Sequence, residues 1–189
     1  MSSDIQFILI SEQEIAEKVA EMGAKINTDY QTQNLLIVSI LKGAVIFLAD
    51  LIRKITIPLE IDFMAVSSYG AGSRTSGVVK IIKDLDKELA GYDVLIVEDV
   101  LDSGMTLNYL INILRERHPH SIKVATLLDK PSRRIKDFEL DYCGFVIPDE
   151  FVVGYGLDYN EKYRNLPYIG VLSPEKVKEN CTFMEEFDS

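Results

Sequence analysis

Three carboxylates follow an apolar run within five positions of one another: Glu98, Asp99 and Asp102. The next residues add two hydroxyl groups and one position where the backbone can approach a ligand closely: Ser103, Gly104 and Thr106. Carboxylates can accept hydrogen bonds from sugar hydroxyls or hold Mg²⁺ through water, whereas hydroxyl and amide donors suit an anion. This stretch therefore favours a ligand that combines hydroxyl groups with an anion.

A strand and a helix must position these groups. The run "VLIV" before Glu98 is typical of a buried strand, and the segment "TLNYLINILRER" after it places four aliphatic residues on one helical face: Leu107, Leu110, Ile111 and Leu114. Ligands of open parallel sheets bind beyond the carboxyl ends of the strands, where a helix N-terminus also attracts anions. Capping of the helix by Asp102 and Ser103 is the alternative, but it leaves Glu98 and Asp99 unexplained.

The remaining pattern alternates strands and helices. Apolar strand-like runs are "NLLIVSIL", "PLEIDFMAVSSY" and "IKVATLLDK", and helical spacing appears in "AVIFLADLIRKI" and after the capping box of Ser11 and Glu14. Such alternation predicts an α/β fold, with a parallel sheet flanked by helices. Near the C-terminus, short apolar runs among Gly, Pro and Tyr predict a small β-rich appendage.

Composition narrows the classes of function. The chain has 189 residues, a net charge of −10 and 47% hydrophobic residues, which argues for a folded core and against a nucleic-acid surface. Its two cysteines, Cys143 and Cys181, lack the spacing of zinc ligands or of a disulfide framework. We expect no secretory signal, no membrane span and a location in the reducing cytoplasm.

The segment "VLIVEDVLDSGMT" resembles the signature of type I phosphoribosyltransferases, which bind 5-phosphoribosyl-1-pyrophosphate. Four further segments resemble the hypoxanthine-guanine phosphoribosyltransferases: "LKGA" (Leu41–Ala44), "SSYG" (Ser68–Gly70), "LLDKPSRR" (Leu127–Arg134) and "DEFVVGYGLDYNEKYRNLP" (Asp149–Pro167). The resemblance implies one phosphoribosyltransferase domain, with a core of about residues 30–148 and a hood of about residues 1–25 and 149–189. It also implies Mg²⁺-dependent transfer of ribose 5-phosphate to N9 of hypoxanthine or guanine, in purine salvage.

The resemblance assigns several residues to the ribosyl donor. The 5′-phosphate would lie on a loop of five residues: Asp102, Ser103, Gly104, Met105 and Thr106. Glu98 and Asp99 would face the ribose hydroxyls and, indirectly, Mg²⁺, for which Asp158 is a further ligand. Pyrophosphate would contact Lys42, Gly43 and Arg164. Ser68 and Tyr69 would begin a loop that closes over the site.

The purine base has its own implied contacts. Asp102 is the candidate general base near N7, Lys130 would donate to O6, Phe151 would stack on the ring, and Val152 would offer backbone groups to the base edge. The neighbours Arg133 and Arg134 both fit the pattern, so neither receives a role.

Some alternatives stay open. A regulator with the same fold that binds nucleic acid would need a basic face, and a transferase for xanthine or a pyrimidine would differ at the base contacts. We also expect small-molecule substrates and a homodimer or homotetramer.

Overall fold

The structure is a computed structural model that describes residues 4–31, 33–68, 79–136 and 139–176. Its strands are β1 (Ile5–Ile10), β2 (Leu35–Leu41), β3 (Leu59–Ser68), β4 (Val79–Lys83), β5 (Asp93–Leu101), β6 (Ser121–Asp129), β7 (Tyr142–Val146), β8 (Val152–Val153) and β9 (Ile169–Leu172). The helices are α1 (Glu12–Asp29), α2 (Val45–Ile52) and α3 (Met105–Arg115), and a 3₁₀ turn covers Pro131–Arg133. Tyr69, expected in a closing loop, lies outside the described residues.

A six-stranded sheet with the order β4-β3-β2-β5-β6-β7 forms the centre of the fold. Neighbouring strands run parallel except β4, which pairs antiparallel with β3. Only residues 69–78 separate these two strands, fewer than the dozen or so that a parallel crossover needs. The predicted α/β fold is confirmed, with this antiparallel edge as an addition.

The hydrophobic core explains the long apolar runs in the sequence. The central strands β2 and β5 are buried along most of their length, as expected of parallel strands that are covered on both faces. Helix α3 buries the four aliphatic residues whose spacing predicted it: Leu107, Leu110, Ile111 and Leu114. They pack into one cluster with residues of β2, β5 and β6, and this packing holds α3 against the sheet.

A second sheet of three antiparallel strands has the order β1-β9-β8. Its register pairs Ile5 with Leu172 and Val152 with Val171. Helix α1 starts at the predicted capping box. The Ser11 amide donates to Glu14 Oε2 at 2.8 Å, and the Glu14 amide donates to Ser11 Oγ at 3.3 Å. No helix in the described ranges is long and apolar enough to span a membrane.

Contacts divide the described chain into two compact units. The larger unit comprises Glu17–Asp149 and contains the six-stranded sheet. The smaller unit comprises the residues up to Ala16 and those from Glu150 onward, and it contains the three-stranded sheet. The candidate site residues are divided between these units.

Candidate active site

A cavity of about 110 Å³ lies where β5 ends and α3 begins, in the larger unit. Eight residues line it: Glu98, Val100, Leu101, Asp102, Ser103, Gly104, Thr106 and Leu107. The lining therefore includes two of the three carboxylates and three of the small or hydroxyl residues that the sequence pattern singled out. The cavity opens at the carboxyl end of a central strand, where ligands of parallel sheets bind.

The backbone at the start of α3 allows a ligand to approach closely. Gly104 is the N-cap residue and has a φ of 77°, a left-handed conformation that glycine adopts without a steric penalty. No side chain at the N-cap position bonds the first turn, although the Met105 amide approaches Ser103 Oγ at 3.4 Å. Asp102 therefore does not cap the helix. The first-turn amides and the helix dipole favour an anion here.

The two adjacent acids on β5 are electrostatically coupled. Burial and the neighbouring Asp99 carboxylate raise the pKa of Glu98 well above its ordinary value. Asp99 Oδ1 accepts a hydrogen bond from the Val100 amide at 2.8 Å. A cation or a set of hydroxyl donors at this pair would relieve the repulsion that raises the pKa of Glu98.

The loop between β2 and α2 contacts Asp99, one of these two acids. The Leu41–Lys42 peptide bond is cis, although Lys42 is not proline. Gly43 follows it, and a β-carbon at Gly43 would lie 1.7 Å from Asp99 Oδ2 and 2.7 Å from Asp99 Cγ. The structure thus brings the predicted pyrophosphate loop into direct contact with a predicted ribose acid.

The residues that follow β6 are tied to the loop that follows β5. The Lys130 amide donates to the Leu101 carbonyl at 3.0 Å, and the amides of Ile135 and Lys136 both donate to the Ser103 carbonyl at 3.1 and 3.3 Å. Arg134 Nε donates to the Asp102 carbonyl at 3.2 Å. These bonds hold the predicted base contact, Lys130, beside the predicted phosphate loop.

Lys130 itself is only 8% exposed, whereas most lysines lie in solvent. Lys130 is therefore not an ordinary solvated surface lysine.

The neighbouring arginines, which the sequence did not distinguish, differ in the structure. Arg134 is 12% exposed, and its guanidinium pairs with the carboxylate of Asp129. Arg133 is 51% exposed, and its Nε lies 3.0 Å from Asp102 Oδ1, while its Nη1 donates to Asp149 Oδ1 at 3.1 Å. Sequence reasoning missed this contact between Arg133 and the candidate general base, since only the 3₁₀ turn decides which arginine faces Asp102.

In the smaller unit, Phe151 is 44% exposed, so it is not a core residue. Tyr159 meets its ring edge to face, with the ring centroids 5.2 Å apart and an angle of 85°. Val152 is buried, and its backbone belongs to the β8–β9 pair. An exposed aromatic ring that a second ring holds in place can accept a planar ligand by stacking.

The two charged candidates of the smaller unit bind each other. Arg164 Nη2 lies 2.7 Å from Asp158 Oδ1, and Arg164 Nη1 donates to the Gly156 carbonyl at 2.8 Å. Asp158 Oδ2 accepts the Glu161 amide at 2.9 Å. A ligand that uses both residues would have to satisfy both charges of this pair. Ser68, the last residue of β3, pairs with Val79 in the sheet of the larger unit.

The donor set suits Mg²⁺ in part. Within the described residues, no three His, Cys, Asp or Glu side chains come close enough to form a metal site by themselves. Mg²⁺ is usually bound through one or two carboxylates together with substrate phosphates and water. Glu98 and Asp99 fit that pattern, because they are adjacent carboxylates whose mutual repulsion a cation would reduce.

Comparisons with known proteins agree with this geometry. Residues 9–160 match the phosphoribosyl transferase domain family. The chain is 58% identical over 174 residues to hypoxanthine-guanine phosphoribosyltransferase of Bacillus subtilis, covering 92% of this chain and 97% of that protein. A hypoxanthine phosphoribosyltransferase structure from Staphylococcus aureus matches with a TM-score of 0.90 and 50% identity, covering 93% of this chain and 96% of that one.

Some relatives are much longer. The chain is 55% identical over 179 residues to the bifunctional protein TilS/HprT of Listeria monocytogenes, and the aligned region covers 95% of this chain. It spans only 28% of the length of that relative.

Proposed function

Because this chain belongs to the hypoxanthine-guanine phosphoribosyltransferase family, we propose that it is a purine-salvage pentosyltransferase. It transfers the 5-phosphoribosyl group of 5-phosphoribosyl-1-pyrophosphate to N9 of hypoxanthine or guanine. The products are IMP or GMP and pyrophosphate.

The observation that carries this proposal is the cavity at the start of α3, with the Glu98–Asp99 pair beside it. The first turn of α3, with Ser103, Gly104, Met105 and Thr106, binds the 5′-phosphate. Glu98 and Asp99 accept hydrogen bonds from the two ribose hydroxyls. One site thus provides donors for the phosphate and acceptors for the sugar, as a phosphorylated ribose requires.

Pyrophosphate is the leaving group, and it carries the largest negative charge of the reaction. Lys42 and the backbone at Gly43 bind it in the larger unit, and Arg164 supplies a further cation in the smaller unit. Glu98, Asp99 and Asp158 are the residues that would hold Mg²⁺. Bound Mg²⁺ would offset the negative charge of the donor and of the leaving group, which matters for a protein with a net charge of −10.

The base contacts define the substrate class. The Lys130 ammonium donates a hydrogen bond to O6. An amino group at the same position of the purine cannot accept this bond, so 6-oxopurines are selected. Phe151 stacks on the purine, and backbone groups of Val152 bind the base edge. Asp102 accepts a proton near N7 as N9 forms its bond to the ribose and pyrophosphate leaves.

An activity panel tests the proposal. The purified chain is incubated with the ribosyl donor, Mg²⁺ and one of five bases: hypoxanthine, guanine, xanthine, adenine or uracil. Nucleotide should form from hypoxanthine and guanine, and pyrophosphate should appear in equal amount. The assignment would be overturned if only adenine or uracil gave a nucleotide, or if product formed in the absence of any base.

We propose further that the chain works in the cytoplasm as a homodimer or homotetramer. Two cysteines without disulfide spacing support a reducing compartment. Two aliphatic residues on α2, Val45 and Ile46, are 37% and 39% exposed and are suited to burial against another subunit. Light scattering of the purified chain would measure its oligomeric state.

A further inference from the structure

We propose that Arg133 is a positioning residue for Asp102, and this inference rests on the proposed function. The Arg133 guanidinium holds one oxygen of the Asp102 carboxylate and so directs the other oxygen toward the purine. Arg133 itself need not touch any substrate. Arg133 Nε lies 3.0 Å from Asp102 Oδ1.

The two oxygens of Asp102 have different surroundings. Oδ1 is buried and accepts no well-aligned hydrogen bond from the residues that the structure describes, so its contact with Arg133 is ionic. The side chain as a whole is 44% exposed, and that exposure belongs to the rest of the group, which includes Oδ2. A buried carboxylate oxygen without a donor is costly unless a cation lies beside it. Arg133 therefore stabilises an arrangement in which Oδ2 is the oxygen available to a ligand.

The backbone places Arg133 rather than Arg134 at this contact. The 3₁₀ turn is closed by the Arg133 amide, which donates to the Lys130 carbonyl at 3.1 Å, and by the Arg134 amide, which donates to the Pro131 carbonyl at 3.1 Å. Consecutive residues of such a turn point in different directions. Arg134 is consequently committed to the carboxylate of Asp129 and to the backbone of Asp102, and Arg133 faces the side chain of Asp102.

A second carboxylate keeps the guanidinium in place. Arg133 Nη1 donates to Asp149 Oδ1 at 3.1 Å while Nε faces Asp102, so the planar group bridges two acids. A lysine has one ammonium on a flexible stem and cannot reproduce this fixed fork. Asp149 thus restricts the orientation of Arg133, and Arg133 restricts that of Asp102.

Exposure argues that the contact serves geometry more than stability. Arg133 and Asp149 are each 51% exposed, and ion pairs between exposed groups contribute little to the free energy of unfolding. A misplaced reacting group, in contrast, can reduce the rate strongly. Loss of Arg133 should therefore lower kcat strongly and lower the melting temperature only slightly.

A double-mutant cycle between Arg133 and Asp102 tests the inference. Four proteins are compared: wild type, Arg133→Met, Asp102→Asn and the double variant. Methionine keeps an unbranched apolar stem and removes the guanidinium. The readouts are kcat, KM for hypoxanthine, donor affinity by calorimetry and melting temperature. Arg53→Met is the matched control, because Arg53 is 75% exposed and has one weak ion pair, with Asp50 at 3.7 Å.

We expect Arg133→Met to lower kcat about ten- to a hundred-fold in the wild-type background. In the Asp102→Asn background the same change should cost less than about threefold, because the group that Arg133 positions is already gone. Donor affinity should be unaffected in both backgrounds, and Arg53→Met should behave as wild type.

Three results would overturn the inference. They are an unchanged kcat in Arg133→Met, an equal loss in both backgrounds, and a loss that appears in donor affinity instead of kcat. A wild-type chain that forms no nucleotide from any base would overturn the proposed function as well, so the two failures are distinguished by the wild-type measurement.

Discussion

The carboxylate of Asp99 occupies the space that a side chain at position 43 would need. A β-carbon on Gly43 would lie 1.7 Å from Asp99 Oδ2, which is much shorter than a van der Waals contact distance. The loop after β2 and the acidic end of β5 are therefore packed directly against each other, and any side chain at position 43 would force the Asp99 carboxylate to move.

Gly43→Ala should displace the Asp99 carboxylate, since the obstacle is the end of a side chain that can rotate away. We expect weaker donor binding by calorimetry and a small change in melting temperature. Gly91→Ala is the control, because Gly91 has open space around it and a φ of 82°. That variant should lower the melting temperature through backbone strain and leave donor affinity intact. Unchanged donor affinity in Gly43→Ala would argue against a role of Asp99 in binding the donor.

Glu98 should make stability depend on pH. Its pKa is raised in the folded chain, so the folded state favours the protonated form, and stability falls as the pH rises from the ordinary pKa of glutamate through the raised value. Glu98→Gln cannot ionise and should melt at a higher temperature than wild type at neutral pH. The difference should disappear in acid. Glu88→Gln, at an exposed position, is the control, and a Glu98→Gln variant less stable than wild type at neutral pH would contradict the expectation.

Mg²⁺ should control pyrophosphate binding as well as turnover. The chain carries a net charge of −10 and places Glu98 and Asp99 side by side, so a bare polyanion should bind weakly. We expect calorimetry to detect tighter pyrophosphate binding with Mg²⁺ than with excess EDTA. Turnover should be lost in EDTA and return when Mg²⁺ is added. Equal binding and full activity in EDTA would remove the metal role from Glu98, Asp99 and Asp158.

Lys130→Ala tests how the base is selected. A lost charge-assisted hydrogen bond is worth about 1.5–3 kcal/mol, so kcat/KM for hypoxanthine should fall roughly ten- to a hundred-fold. Donor affinity should change much less. Lys136→Ala is the matched control, because its side chain is exposed on the same loop. Equal losses for base and donor would place Lys130 elsewhere in the site.

Asp102→Asn should separate proton transfer from structure. Asparagine keeps the shape but removes the proton acceptor, and loss of a general base typically costs about 10²–10⁴ in rate. Melting temperature and donor affinity should stay near the wild-type values, since Asp102 does not cap α3 and its ion pair is half-exposed. If the variant kept most of its kcat, Asp102 would not be the general base, and solvent or pyrophosphate would be the remaining candidates for the proton acceptor.

The sequence was most informative where local pattern and packing agree. The apolar run before Glu98 and the helical spacing from Leu107 to Leu114 correctly predicted β5 and α3, because burial imposes those periods. Pairing of Ile5 with Leu172 has no local signature, since residues so far apart in the chain meet only in the folded protein. The same limit applies to Arg133 and Arg134, whose different directions depend on a turn that neighbouring residues do not specify.

The bonds between the loops after β5 and β6 also constrain protein engineering. Ser103 accepts two amides from the second loop, and Leu101 and Asp102 accept one donor each through their carbonyls. A designer who transplanted residues 130–136 from a transferase with another base preference would break these bonds unless residues 101–104 moved with them. Base specificity in this scaffold should therefore be exchangeable only as a two-loop cassette, or by single side-chain substitutions that leave both backbones in place.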